Sequence, residues 1–147
     1  MSIREEMPVL ARHEGEWIGT YIYVDAEGGI VDRHTSHLTC AFPADGEADY
    51  LQINRYAWES GRAEEHRFPA IFRDGSLWLD SERLKGRAWE VDEKTIIMTW
   101  RYKADLERYL YEMIQISSDG ADRARTWHWF EHGELVKRTL IKEKRFN

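Results

Sequence analysis

Ile96-Ile97-Met98-Thr99-Trp100-Arg101-Tyr102, Lys103-Ala104-Asp105-Leu106, Arg108-Tyr109-Leu110-Tyr111-Glu112-Met113-Ile114 has the form of a hairpin written in sequence. Two runs rich in β-branched and aromatic residues flank a short polar turn, the signature of paired strands. The pattern continues through Ser118-Asp119-Gly120, Arg123–Phe130, His132-Gly133 and Leu135–Ile141. It also extends backward. Turn residues recur at Asp25–Gly29, Pro43–Gly46, Ser60-Gly61, Arg73–Ser76, Lys85-Gly86 and Asp92–Lys94. Nine breaks in all leave about ten strands, at the spacing of an all-β meander. No long helical segment interrupts them, which argues against parallel βαβ architectures. An antiparallel up-and-down barrel removes the edges that so long a meander would expose.

Ahead of the first strand, Ile3, Met7, Leu10 and Ala11 have helical spacing, with Ser2 as cap and Glu5 and Glu6 in the first turn. Pro8 shortens or kinks that helix. Residues 1–147 carry no linker, repeat or low-complexity tract and read as one domain. A formal net charge of -6 argues against a nucleic-acid surface, which needs a basic excess. The basic run Lys137, Arg138, Lys142, Lys144 and Arg145 alternates with apolar residues and reads as a solvated strand face. Cys40 is the single cysteine, so no intrachain disulfide forms. Met1–Glu6 lacks the apolar run of a signal peptide, and no stretch approaches the ~20 apolar residues of a membrane span. The expected compartment is a reducing cytoplasm.

Pairing within the last hairpins predicts which side chains face inward. With Trp100 opposite Tyr109, Ile116 opposite Arg123 and Glu131 opposite Glu134, one face carries Ile96, Met98, Trp100, Tyr102, Tyr109, Tyr111, Met113, Thr126, His128, Phe130, Leu135, Lys137, Thr139 and Ile141. The other carries Ile97, Arg101, Arg108, Leu110, Glu112, Ile114, Arg125, Trp127, Trp129, Val136, Arg138 and Lys142. The first face holds one charge, the second six counted among its arginines, lysine and glutamate, so the first is expected inside. Tyr111, His128 and Lys137 then meet on adjacent strands, and His34 stands beside Tyr21. The outward apolar residues Ile97, Leu110, Trp127, Trp129 and Val136 predict a homodimer or higher oligomer.

Gly15-Glu16-Trp17, a G-x-W motif opening the first strand after a short helix, and its continuation Ile18-Gly19-Thr20-Tyr21 resemble the calycins. These are the lipocalins, the fatty-acid-binding proteins and bacterial lipocalin-like relatives. The resemblance implies a closed barrel around an internal cavity, with a basic residue packed over the motif tryptophan; Arg145 is the match. Haem-binding nitrobindins have a related glycine-rich opening, but their C-terminal haem-ligand motif has no counterpart here. No cofactor is expected.

Seven Trp, seven Tyr and five Phe suit the lining of a pocket for a small apolar or aromatic ligand. Tyr21, His34, Met98, Trp100, Tyr109 and Phe130 are the candidate lining. Tyr111, His128 and Lys137 are the candidate polar cluster. Desolvation and a neighbouring lysine would keep His128 neutral and able to take a proton, with Tyr111 donating to a ligand oxygen. Two functions therefore stand: a binding barrel for an oxygen-bearing hydrophobic molecule, or a cofactor-independent isomerase, lyase or cyclase. A structural or partner-binding protein with a filled barrel is a third. Metal binding is not expected, because His34 and His37 point to opposite faces of a strand. Cys40, between Leu38 and Phe42, reads as a buried small hydrophobe.

Overall fold

The computed structural model describes residues 2–46 and 48–146. The N-terminal helix is two single turns, α1 (Ile3–Glu6) and α2 (Pro8–Ala11). The break lies at Met7 (φ -127, ψ 71), because a residue before proline is kept out of the helical region. Ser2 caps α1 as expected, accepting from the Glu5 amide at 3.3 Å. Met7, Val9 and Leu10 are buried and plug one end of a barrel. The Glu90 carboxylate accepts from the Leu10 amide at 2.7 Å and ties the plug to the wall.

Ten strands follow: β1 (Gly15–Asp25), β2 (Ile30–Ala41), β3 (Tyr50–Ala57), β4 (Ala63–Arg73), β5 (Ser76–Asp80), β6 (Leu84–Asp92), β7 (Thr95–Tyr102), β8 (Arg108–Ile116), β9 (Asp122–Glu131) and β10 (Glu134–Phe146). Each pairs antiparallel with the next, and β10 returns to β1, so the barrel is closed. Among the described residues no helix is long and apolar enough to cross a membrane.

Trp17 is fully buried at the plugged end. The Arg145 guanidinium lies 4.4 Å from its ring centre, as the resemblance implied, and the Arg123 guanidinium 5.0 Å. Arg145 is held there by the carbonyls of Arg12, Glu14 and Gly120 at 2.7, 2.7 and 2.9 Å. Two glycines make this packing fit. At Gly15 (φ 130) a Cβ would stand 2.7 Å from Arg145 Nη1. At Gly19 a Cβ would stand 2.4 Å from the Lys142 carbonyl and 2.6 Å from Glu143 Cγ.

The registers correct the expected interior. Ile116 does face Arg123 and Glu131 does face Glu134. Trp100, however, faces Leu110 rather than Tyr109, because the β7–β8 connection is one residue longer than the sequence reading allowed. That single step turns β8 and β9 over. Leu110, Glu112 and Ile116 on β8, and Arg123, Arg125 and Trp127 on β9, are buried inside. Tyr109, Tyr111, Met113, Thr126, His128, Phe130 and Leu135 lie on the outer side, with Tyr111 46% and Met113 47% exposed. A bulge between Leu135 and Lys137 flips the face again, so Lys137, Thr139 and Ile141 point inward as expected. The apolar residues that motivated self-association, Leu110 and Trp127 above all, fill the barrel instead.

Candidate functional site

The inner row of β9 reads Arg123, Arg125, Trp127, Trp129. Successive members stand roughly 6.6 Å apart, two residues of strand rise. Arg123 and Arg125 meet Glu112 on β8 and Glu143 on β10, and all four side chains are buried. Arg125 donates from Nε to Glu112 Oε2 at 2.7 Å, and from Nη1 to Tyr21 Oη at 2.8 Å and Glu143 Oε2 at 3.3 Å. Arg123 donates from Nε to Glu143 Oε1 at 3.0 Å, and from Nη1 to His13 Nδ1 and Cys40 Sγ at 3.2 Å each. Cys40 is buried, as expected. Two guanidinium groups thus face two carboxylates in a place water does not reach. Burial is tolerable only because the charges neutralise and bond one another.

This network forms one wall of an internal cavity of about 80 Å³. The opposite wall is apolar: Leu77, Leu79, Ala88, Ile96 and Met98. A third side is the inward face of β3, where Tyr50 donates to Gln52, Gln52 to Asn54 and Asn54 to Tyr56, at 3.1, 3.1 and 2.8 Å. Phe68, Leu84, Trp100 and Trp127 line both this cavity and a second space of about 270 Å³ at the unplugged end. That mouth is aromatic, with Tyr23, Tyr56, Trp58 and Trp129 among its lining, and it also carries Asp32, Glu64 and His66. His34 sits in it as expected, opposite Tyr21 in the β1–β2 register. Its ring centre is 4.7 Å from that of Tyr21, 4.4 Å from Tyr56 and 4.5 Å from Trp58.

Several buried polar atoms here have no hydrogen-bond partner: Glu112 Oε1, Arg123 Nη2, Trp127 Nε1 and His13 Nε2 on residues lining the inner cavity, and His34 Nε2 at the mouth. Each such atom costs about 1–3 kcal/mol if left unpaired. Four of the five belong to residues that line the inner cavity and one to a residue of the mouth.

Burial, and next the Arg123 charge, pushes the His13 pKa from 6.5 down to about 2, so its imidazole is neutral. Burial also lowers His34 below the usual range. Its Nδ1 lies 3.2 Å from the Thr35 carbonyl, so Nδ1 carries the proton and Nε2 the lone pair. Because the unfolded chain protonates His13 below about pH 6.5 and the folded chain does not, stability should fall as pH drops from about 6.5 toward 2. The slope should reach at most about 1.4 kcal/mol per pH unit, and His34 adds in the same direction. Chemical denaturation between pH 7 and 5 should show the fall, and His13→Asn should flatten it; an unchanged slope in the variant would count against the assignment.

Of the sequence candidates, Tyr21, His34, Met98 and Trp100 stand on the inner surface. Lys137 also faces in, its Nζ 4.5 Å from the Trp129 ring centre at the mouth, with its pKa lowered mainly by burial. Tyr111 and His128 are exposed on the outside. The acid–base cluster expected of Tyr111, His128 and Lys137 is therefore not assembled: the shifted β7–β8 register puts Tyr111 and His128 outside, and the bulge between Leu135 and Lys137 turns Lys137 back inside. Tyr109 and Phe130 likewise stack on each other outside, 5.3 Å between centres, and are not part of the lining of the inner cavity or the mouth. His34 and His37 do point apart, His37 bonding Glu16 at 2.8 Å on the outer side. Among the described residues no group of three or more His, Cys, Asp or Glu is placed to hold a metal ion. The residues missed were Glu112, Arg123, Arg125, Glu143 and Trp127. Leu110, Ile114, Trp127 and Trp129 share the face of the arginines, and that apolar weight was the available signal.

No protein-family model matches the chain, and no curated protein matches it by sequence. Solved structures do match. A protein of unknown function from the DUF3598 family of Nostoc punctiforme superposes with a TM-score of 0.70 at 16% identity, over 93% of this chain and 49% of that one. The chain thus spans about half the length of that protein. The S-type phycobiliprotein lyase of Guillardia theta gives 0.75 at 14% identity, over 100% and 94% of the two chains. The Rv2717c protein of M. tuberculosis gives 0.64 at 12%, over 97% and 98%. The fold is the lipocalin-like barrel. At these identities the likeness is one of fold.

Proposed function

We propose that this lipocalin-like barrel is a calycin that binds a small, largely apolar or aromatic, oxygen-bearing molecule. The ligand enters through the mouth ringed by His34, Trp58, Trp100 and Trp129, and its polar head reaches the inner cavity. The observation that carries this reading is the set of unpartnered buried polar atoms on Glu112, Arg123 and Trp127 around a cavity whose other wall is apolar. Such a space, apolar with a few convergent polar groups, is the usual form of a small-molecule site. The inner volume suits a single ring or head group, and the mouth suits the remainder of a longer molecule.

Native mass spectrometry of the purified protein, with saturation-transfer NMR against a set of small aromatic compounds, tests this. A mass increment lost on denaturation, or saturation transfer to some of the compounds, is expected. Ala88→Leu, which fills the cavity from its apolar wall, should abolish either signal while the β-sheet circular dichroism is kept. A protein that carries nothing and binds none of the compounds would overturn the reading.

A further inference from the structure

The inner cavity is closed electrically, and that limits what it can take. Arg123 and Arg125 are balanced by Glu112 and Glu143, with every member buried. His13 is neutral, and Tyr21, Tyr50 and Tyr56 are held protonated chiefly by burial. The bonds already made use Nε and Nη1 of both arginines. What is left is Arg125 Nη2, which makes no hydrogen bond among the described residues, together with the fully covered carboxylate oxygen Glu112 Oε1 and the donors Trp127 Nε1, Arg123 Nη2 and His13 Nε2. The His13 donor follows from its Nδ1 accepting from Arg123, which leaves the ring proton on Nε2.

Glu112 and Trp127 are direct partners in the β8–β9 register, so their Cβ atoms stand about 4.5–5.5 Å apart. Neither bonds the other, and both line the cavity. We propose that this pair recognises a neutral carboxamide edge, with Trp127 Nε1 donating to the ligand carbonyl and Glu112 Oε1 accepting from its N–H. This rests on the binding reading above and names the class of head group.

The competing head groups fail on the same geometry. A carboxylate has no proton for Glu112 and sets a third negative charge beside it, while the guanidinium charges are already matched. A cationic head satisfies Glu112 but adds a third positive charge against Arg123 and Arg125 and offers Trp127 no acceptor. A hydrocarbon pairs none of the orphaned atoms.

Benzamide, benzoate and benzamidine share one shape and differ in charge and in donor and acceptor pattern. Titrating each into protein labelled with 15N at the tryptophan indoles gives affinity and location together. The Trp127 resonance is identified by its loss in Trp127→Phe. Benzamide should bind at least roughly tenfold tighter than either ion and move that resonance. Trp127→Phe should weaken benzamide by a similar factor. Glu112→Gln leaves the arginines one carboxylate short and should turn the preference toward benzoate; if that variant does not fold, the wild-type series decides alone. Benzoate or benzamidine binding as tightly as benzamide would overturn the neutral-head assignment while leaving cavity binding intact. Benzamide affinity unchanged in Trp127→Phe would do the same. None of the three binding would overturn both.

Discussion

Arg125→Met should lower the unfolding free energy by about 3–5 kcal/mol, read by urea denaturation with tryptophan fluorescence. Arg125 is buried and holds Glu112, Tyr21 and Glu143 at 2.7, 2.8 and 3.3 Å. Its loss strips Glu112 of the one charged partner it has among the described residues and leaves a carboxylate in a space of low polarity. Glu143 keeps Arg123 and suffers less. The double variant Arg125→Met/Glu112→Leu removes both charges and should recover much of the loss, because hydrophobic replacement of a whole buried pair is often neutral or better. A single variant within about 1 kcal/mol of wild type would show that the network is wetter than its burial indicates.

Trp17→Ala should cost a comparable amount, about 3–5 kcal/mol, from the lost packing and the cavity left behind. The indole is fully buried, with the guanidinium groups of Arg145 and Arg123 4.4 and 5.0 Å from its ring centre. Its Nε1 donates to the His13 carbonyl at 2.9 Å, which joins the N-terminal plug to the barrel floor. Trp17→Phe keeps most of the volume but loses that hydrogen bond and part of the cation–π contact, so roughly 1–2 kcal/mol is expected. A double-mutant cycle of Trp17→Phe with Arg145→Ala checks the stacking directly. Additive losses would show that Arg145 acts only through its bonds to the carbonyls of Arg12, Glu14 and Gly120.

The two variants probe different layers of the molecule. Trp17 closes the plugged end and sets the geometry on which the floor depends. Arg125 lies one layer higher, where the same β9 row begins to line the cavity. A ligand that pairs Glu112 Oε1 and Trp127 Nε1 would stabilise the second layer and leave the first untouched. Arg125→Met should therefore lose ligand-induced stabilisation as well as basal stability.

The sequence by itself determined the number and order of the strands, because those rest on local chemistry: β-branched and aromatic runs cut by turn residues; the break expected at Lys85-Gly86 falls instead at residues 81–83, and Lys85 and Gly86 pair within β6. It also placed Trp17 under Arg145, since alternation from Leu135 and the Gly15-Glu16-Trp17 motif both lead there; the outcome owes something to two compensating steps, the β7–β8 slip and the bulge after Leu135. His34 beside Tyr21 was legible for the same local reason, a register fixed across one short turn. What only the tertiary structure decided is which way β8 and β9 face. Strand side chains alternate with period two, so one extra residue in the Lys103–Glu107 turn exchanged the whole inner and outer sets. Charge was the misleading guide. Glu112, Arg123, Arg125 and Glu143 look like surface residues singly, and they lie inside because they come together from three strands and neutralise one another. No local pattern in the chain states that closure; it exists only once β8, β9 and β10 are side by side.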